Sequence, residues 1–180
     1  MTIPPPPPPP PPLAALPLPT LLPAPALPSF EQTKEEAREI LLAGATAPLP
    51  WKVRRHQDRV LDRVHDALAG AGKGQRLYVL EIAGPIPRVK IGRSNDPWVR
   101  IRQHVAEMNG YQYGLIDAHL TTAVDDLLSI TRAEAEAHVG VGKRYKPITR
   151  EAFRDADFMV ASLWADVAIQ LHQPLDEDAE

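Results

Sequence analysis

An α+β fold is the expectation for this chain, and three observations produce it. Two short segments rich in β-branched and aromatic residues, 77–82 and 88–91, flank Gly84-Pro85-Ile86-Pro87 and read as a hairpin. Apolar residues recur at helical spacing on both sides of that hairpin. Helix-start signals precede two of these runs, at Ser29 with Gln32 and at Asp96 with Pro97.

Taken in order, the chain opens with an arm over residues 1–28. Pro4 to Pro12 are nine consecutive prolines, which lack backbone donors and favour an extended polyproline II rod over any packed element. The arm is expected to be disordered, either a stiff tether or a ligand for a proline-recognising partner. Residues 29–72 form a helical extension. Ser29 and Gln32 have capping-box spacing ahead of a helix over 33–43 that Gly44 ends. A second helix covers 51–69, with Val53, Val60, Leu61, Val64 and Leu68 as its apolar stripe and Gly70 and Gly72 as its stop. Its arginines alternate with Asp58, Asp62 and Asp66 at salt-bridge spacing, which reads as a solvated face.

Residues 73–173 should hold the functional domain. After the hairpin, Gly92 closes the second strand, and Trp98, Ile101, Val105 and Met108 mark a helix that Asn109-Gly110 stops. A third strand over 115–120 follows, then a helix over 124–139 on the stripe Val124, Leu127, Leu128, Thr131 and Ala135. Lys143-Arg144-Tyr145-Lys146-Pro147 makes a basic loop. A last helix ends near His172; its Phe158, Met159, Leu163, Trp164, Val167 and Leu171 are read as cover for the sheet.

The formal charge of −3 conceals its distribution, because Asp176, Glu177, Asp178 and Glu180 crowd the tail, 174–180. Without them the balance is close to neutral. Cysteine is absent, so a metal would rely on carboxylate, imidazole or water oxygen. No basic n-region opens the chain, and Asp166 interrupts the longest apolar stretch. The expected setting is cytoplasmic, away from membranes.

Arg100 and His104 share one face of their helix, away from Ile101 and Val105, while Glu134 lies at the edge of its own helix's stripe. Alone, an Arg and a Glu beside hydrophobic faces are more often a structural ion pair. The ordered set is more specific: Tyr78, then Lys90-Ile91-Gly92, then Arg100 and His104, then Glu134, with ten residues from Lys90 to Arg100. This set resembles the GIY-YIG nuclease superfamily, and most closely its bacteriophage DNA-binding-domain branch. There Tyr-Val and Lys-Ile-Gly mark adjacent strands, and Glu-x-x-x-His precedes a basic segment and Arg-Glu-Trp-Phe. Here the downstream positions are Glu134 with His138, Lys143 to Lys146, and Arg150-Glu151-Ala152-Phe153. Only the tyrosine of the Gly-Ile-Tyr triplet is kept, Lys90 replaces the second tyrosine and Ala152 the tryptophan. The resemblance covers residues 77–153.

It implies a three-stranded antiparallel sheet flanked by helices, and in-line hydrolysis of a phosphodiester, DNA being the expected substrate, with one Mg²⁺ or Mn²⁺. Glu134 would hold the metal and Arg100 would stabilise charge on the phosphate. Tyr78 would orient or deprotonate water, with its pKa lowered by cations such as Lys90. His104 is either a phosphate or proton-transfer group or a polar surface residue. Ile91, Gly92 and His138 are the structural part of the pattern. Arg88, Arg93 and Arg102, together with Arg100 and Lys90, form a cationic cluster opposed mainly by Asp96, which with Lys143, Arg144 and Lys146 suits phosphate contacts. Two rival functions remain: a DNA-binding module of the same fold that cuts nothing, and an adaptor recruited through the proline arm.

Overall fold

A computed structural model describes residues 27–173. The proline arm, but for its last two residues, and the acidic tail lie outside the described residues. Five helices and four strands follow the order α1 (Phe30–Leu42), α2 (Trp51–Ala69), β1 (Arg76–Ala83), β2 (Arg88–Ser94), α3 (Pro97–Asn109), β3 (Gly114–Leu120), α4 (Leu127–Gly142), β4 (Ala152–Arg154) and α5 (Phe158–His172). The α+β class holds, but the sheet has four antiparallel strands rather than three, in the order β3-β1-β2-β4. The extra strand is only three residues long and is defined by its pairing with β2, Arg88 opposite Arg154 through Lys90 opposite Ala152. A strand held by its partner more than by its composition leaves little trace in a sequence pattern.

The sheet separates two layers because side chains alternate along each strand. Leu77, Val79, Val89 and Ile91 point to the face covered by α4 and α5. Tyr78, Leu80 and Ile82 point to the other, against Val60 and Val64 of α2 and Ile101, Val105 and Met108 of α3. Both α1 and α2 are fastened to β3. Ser29 and Gln32 form the expected capping box at the start of α1, and Leu41 of α1 and Val53 of α2 are buried beside Ile116. His56 and Gln57, polar residues inside the stripe of α2, bond the Ile116 carbonyl at 2.7 Å and the Leu115 amide at 2.9 Å. These are backbone groups the strand would otherwise bury unpaired.

Four local expectations are corrected. Gly92 lies inside β2 and does not close it, since pairing continues to Ser94. The fourth helix runs over Leu127–Gly142 and buries Ile130, Ala133, Ala137, Gly140 and Val141. Leu127 and Leu128, expected in its stripe, are exposed, and Val124 instead bridges Gln75. On α5 the buried face is mostly small, Ala161, Ser162, Ala165 and Ala168 with Ile169, while Met159, Leu163 and Leu171 face outward. Small residues permit the close α4–α5 approach in which the Trp164 ring covers Gly140; a Cβ there would meet the ring at 2.5 Å. Arg54, Arg55 and Arg63 of α2 are exposed, as a solvated face requires, but the arginines of this helix do not pair with its aspartates. Arg59 bonds the Thr33 hydroxyl at 2.9 Å, and Arg63 lies 4.0 Å from the Phe30 ring centre. No helix among the described residues is long and apolar enough to cross a membrane.

Candidate active site

The shortness of β4 creates the site. Its pairing with β2 ends at Lys90, so the next residues of β2, still paired with β1, have no strand on their other side. Ile91 is completed by other groups: its amide donates to the Glu151 carbonyl at 2.9 Å, and its carbonyl faces His138 Nε2 at 3.1 Å. Beyond it a cavity of about 330 Å³ opens, lined by Tyr78, Gly92, Arg93, Arg100, Thr131 and Glu134, with Ala135, His138, Arg150 and Glu151. Three of the expected residues, Tyr78 from β1, Arg100 from α3 and Glu134 from α4, thus meet in one space although 56 positions separate the first from the last.

Each arrives for a local reason. Tyr78 belongs to the α3 face of β1, is buried, and sits across from Gly92 in the strand register. A Cβ at Gly92 would stand 2.5 Å from Tyr78 Oη, so only glycine leaves the hydroxyl its place. Asp96 accepts from the Val99 amide at 3.1 Å and fixes the first turn of α3, from which Arg100 projects one turn on. Glu134 lies beside the buried Ala133 of α4, which carries it around the edge of β2.

His104 is not a surface residue. It is 8% exposed, and its Nε2 lies 3.0 Å from Tyr78 Oη. Its Nδ1 faces Glu107, 3.5 Å away. Burial, then the charges of Lys90 and Arg100, hold His104 below its ordinary 6.5 against the opposing pull of Glu107, so the ring is neutral at physiological pH. Burial also pushes the Tyr78 phenol above its ordinary 10, and Arg100 only partly offsets it. This corrects the expectation of a lowered tyrosine pKa: desolvation of the phenolate outweighs the neighbouring cation. Lys90 is a different kind of residue from the one expected. Its ammonium pairs with Glu151, whose carboxyl that hydrogen bond holds below the usual range, and its charge acts on His104.

The cationic cluster is likewise opposed by other acids than Asp96, which is occupied as the α3 cap. Arg93 Nε pairs with Glu134 at 3.1 Å and its guanidinium also bonds the Thr131 hydroxyl. Arg100 bonds Gln103 at 3.1 Å and has no carboxylate partner among the described residues. The remaining basic positions stand apart. Arg88 and Arg102 stack on Tyr113 and Trp98, at 4.1 and 4.5 Å. Lys143, Arg144 and Lys146 are exposed on the α4–β4 connection and do not line the cavity. Thr131, Arg150 and Glu151 do line it without having been given a role. The place of Arg150 and Glu151 beside the cavity depends on β4, which the sequence does not announce.

Among the described residues no three His, Asp or Glu side chains gather into a metal-binding group. What the cavity offers is two carboxylates, Glu151, which is taken up by Lys90, and Glu134, 18% exposed, in polar surroundings with room for water. That donor set fits a hard divalent ion that keeps several of its waters. No protein family, no curated protein and no solved structure matches this chain.

Proposed function

We propose that this protein is a metal-dependent endonuclease of the GIY-YIG type, hydrolysing nucleic-acid phosphodiester bonds, with DNA as its substrate. The observation that carries the reading is the single cavity lined by Tyr78, Arg100 and Glu134, the three groups the ordered motif singles out.

The division of labour follows from the chemistry of the groups. Arg100, without an acid partner, presents its planar fork to phosphate and stabilises charge as it grows on the non-bridging oxygens. Glu134 would hold one Mg²⁺ or Mn²⁺, which when bound supplies further neutralisation of charge at the phosphate. Arg93, the present partner of Glu134, is near enough to turn to phosphate instead. Burial disfavours Tyr78 as a free phenolate. The neutral His104 offers another route: with its Nδ1–H toward Glu107, its Nε2 lone pair accepts the Tyr78 hydroxyl proton as Tyr78 Oη takes one from the attacking water. The tyrosine is then never left as an isolated buried anion.

A second reading has one observation in its favour. Both carboxylates lining the cavity are already neutralised, Glu134 by Arg93 and Glu151 by Lys90, which is what a DNA-binding module that cuts nothing would need. The two readings separate in one experiment: nicking of supercoiled plasmid and of a branched duplex by wild type and Glu134→Ala, in Mg²⁺, Mn²⁺ or EDTA, beside a binding assay. Metal-dependent nicking lost in Glu134→Ala is the expected result. Binding without nicking in any metal would leave the binding module, and no binding at all would leave an adaptor recruited through the proline arm.

A further inference from the structure

A second cavity, of about 400 Å³, lies behind the first and shares its dividing wall. His104, which lines it, bonds Tyr78 of the first cavity, and Lys90, which also lines it, pairs with Glu151 of the first. Its size falls within the range of about 300–1,000 Å³ typical of small-ligand sites. Ile82, Met108 and Ala152 make part of its lining apolar, and Tyr111 and Tyr113 line it as well.

The two tyrosines are placed with some care by the backbone. The turn after α3 is pinned to its last residues, the Tyr111 and Tyr113 amides both donating to the Met108 carbonyl at 2.9 and 3.3 Å. Gln112 between them takes a φ of 64°, a conformation non-glycine residues rarely adopt. Tyr113 is backed by the Arg88 guanidinium at 4.1 Å, while Tyr111 is 75% exposed, an aromatic ring left without protein cover at a cavity mouth. Arg88 supplies positive charge there, Lys90 being paired with Glu151, and Thr149 and Glu107 supply hydrogen-bonding oxygens.

We infer that this cavity takes one unstacked nucleobase of the strand whose phosphate occupies the first cavity. The inference rests on the nuclease reading above and adds a substrate class to it. An aromatic ring beside cations, next to a phosphate site, is the chemistry by which proteins hold bases that are out of the duplex stack. A continuous duplex would have to give up a base to fill it, whereas single-stranded tails, flaps and branch points offer one at no unstacking cost. The preferred substrate is therefore nucleic acid with an unpaired base adjacent to the scissile phosphate.

The test uses the full chain in EDTA, so that binding is read without cleavage. The probes are a short single-stranded DNA carrying 2-aminopurine and a blunt duplex of the same sequence. Wild type should bind the single strand more tightly and change the 2-aminopurine emission. Tyr111→Ala, at an exposed position that folding does not need, should weaken single-strand binding about tenfold, the size of a lost base–aromatic stack. It should leave duplex binding unchanged, and Tyr111→Phe should restore the single-strand affinity. Equal losses on both probes, or no loss on either, would overturn the inference; if plasmid nicking persists in that case, the nuclease reading stands without it. Absence of any nucleic-acid binding by wild type would overturn both.

Discussion

Two groups of charged side chains stand at opposite edges of the sheet, and they are built on different terms. At the β3 edge, Glu81 and Asp117 lie opposite each other in adjacent strands and are held by Lys34, Arg38 and Arg63. Lys34 reaches Asp117 at 2.7 Å and Glu81 at 3.3 Å, and Arg38 reaches Glu81 at 2.6 Å. Burial alone would lower Lys34, but the hydrogen bond to Asp117 and the charges of both acids outweigh it and hold the ammonium above its ordinary value. The space beside Glu81 is about 90 Å³. At the β2 edge the charges surround about 330 Å³, and Arg100 faces that space without an acid of its own. The first group spends its charges on fixing α1 and α2 to β3. The second keeps charge in reserve around a space, which is a mark of a site and not of a clasp.

Mutation should separate the two by what it damages. Arg100→Ala removes the unpaired cation and should lower kcat/KM about 10²- to 10³-fold, the usual loss for one donor to a developing oxyanion, with the melting temperature unchanged. Steady-state kinetics and a thermal melt on the same samples check it. Lys34→Ala should do the reverse, leaving Glu81 to Arg38 and Asp117 to the longer contact with Arg63, at a destabilisation of about 1 kcal/mol, read from urea unfolding, while the folded fraction stays active. Gly92→Ala tests geometry without touching charge. The new methyl group must displace the Tyr78 hydroxyl, and a shift of that order at a reacting group costs about 10²-fold in rate, while binding of nucleic acid persists.

How far these two regions could be read from the sequence also differs. The bounds of α2, the capping box of α1 and the Asp96–Pro97 start of α3 are local signals, and local signals survive into the structure. Tyr78, Arg100 and Glu134 could be singled out because their order and spacing form a pattern, and they line one cavity. The β3 clasp was not recoverable, because Lys34, Glu81 and Asp117 come from three separate elements that no spacing rule links. The position of His104 was only half visible: helical phase placed it beside Arg100, but its burial depends on Tyr78 arriving from another strand. Leu127 and Leu128 misled the helix phase because hydrophobicity outranked size, and α4 turned its small residues inward instead.

The smallest expected effect is one of pH. His104 and His56 are both held below 6.5 chiefly by burial. Between those depressed values and 6.5 the unfolded chain binds more protons than the folded one, so stability rises with pH through this window and is lost as pH falls below 6.5. His104→Gln should flatten part of that slope in melts between acidic and neutral pH. In the active protein, cleavage that needs neutral His104 should stay level from neutral pH down past 6.5 before it falls.

The most direct test sets the two carboxylates against each other: single-turnover cleavage of a branched DNA duplex in Mg²⁺ by Glu134→Gln and by Glu81→Gln, each with its melting curve. The account predicts that Glu134→Gln melts like wild type and does not cut, while Glu81→Gln melts lower and cuts at a wild-type rate below its transition. Wild-type cleavage by Glu134→Gln, or loss of cleavage in a fully folded Glu81→Gln, would contradict it.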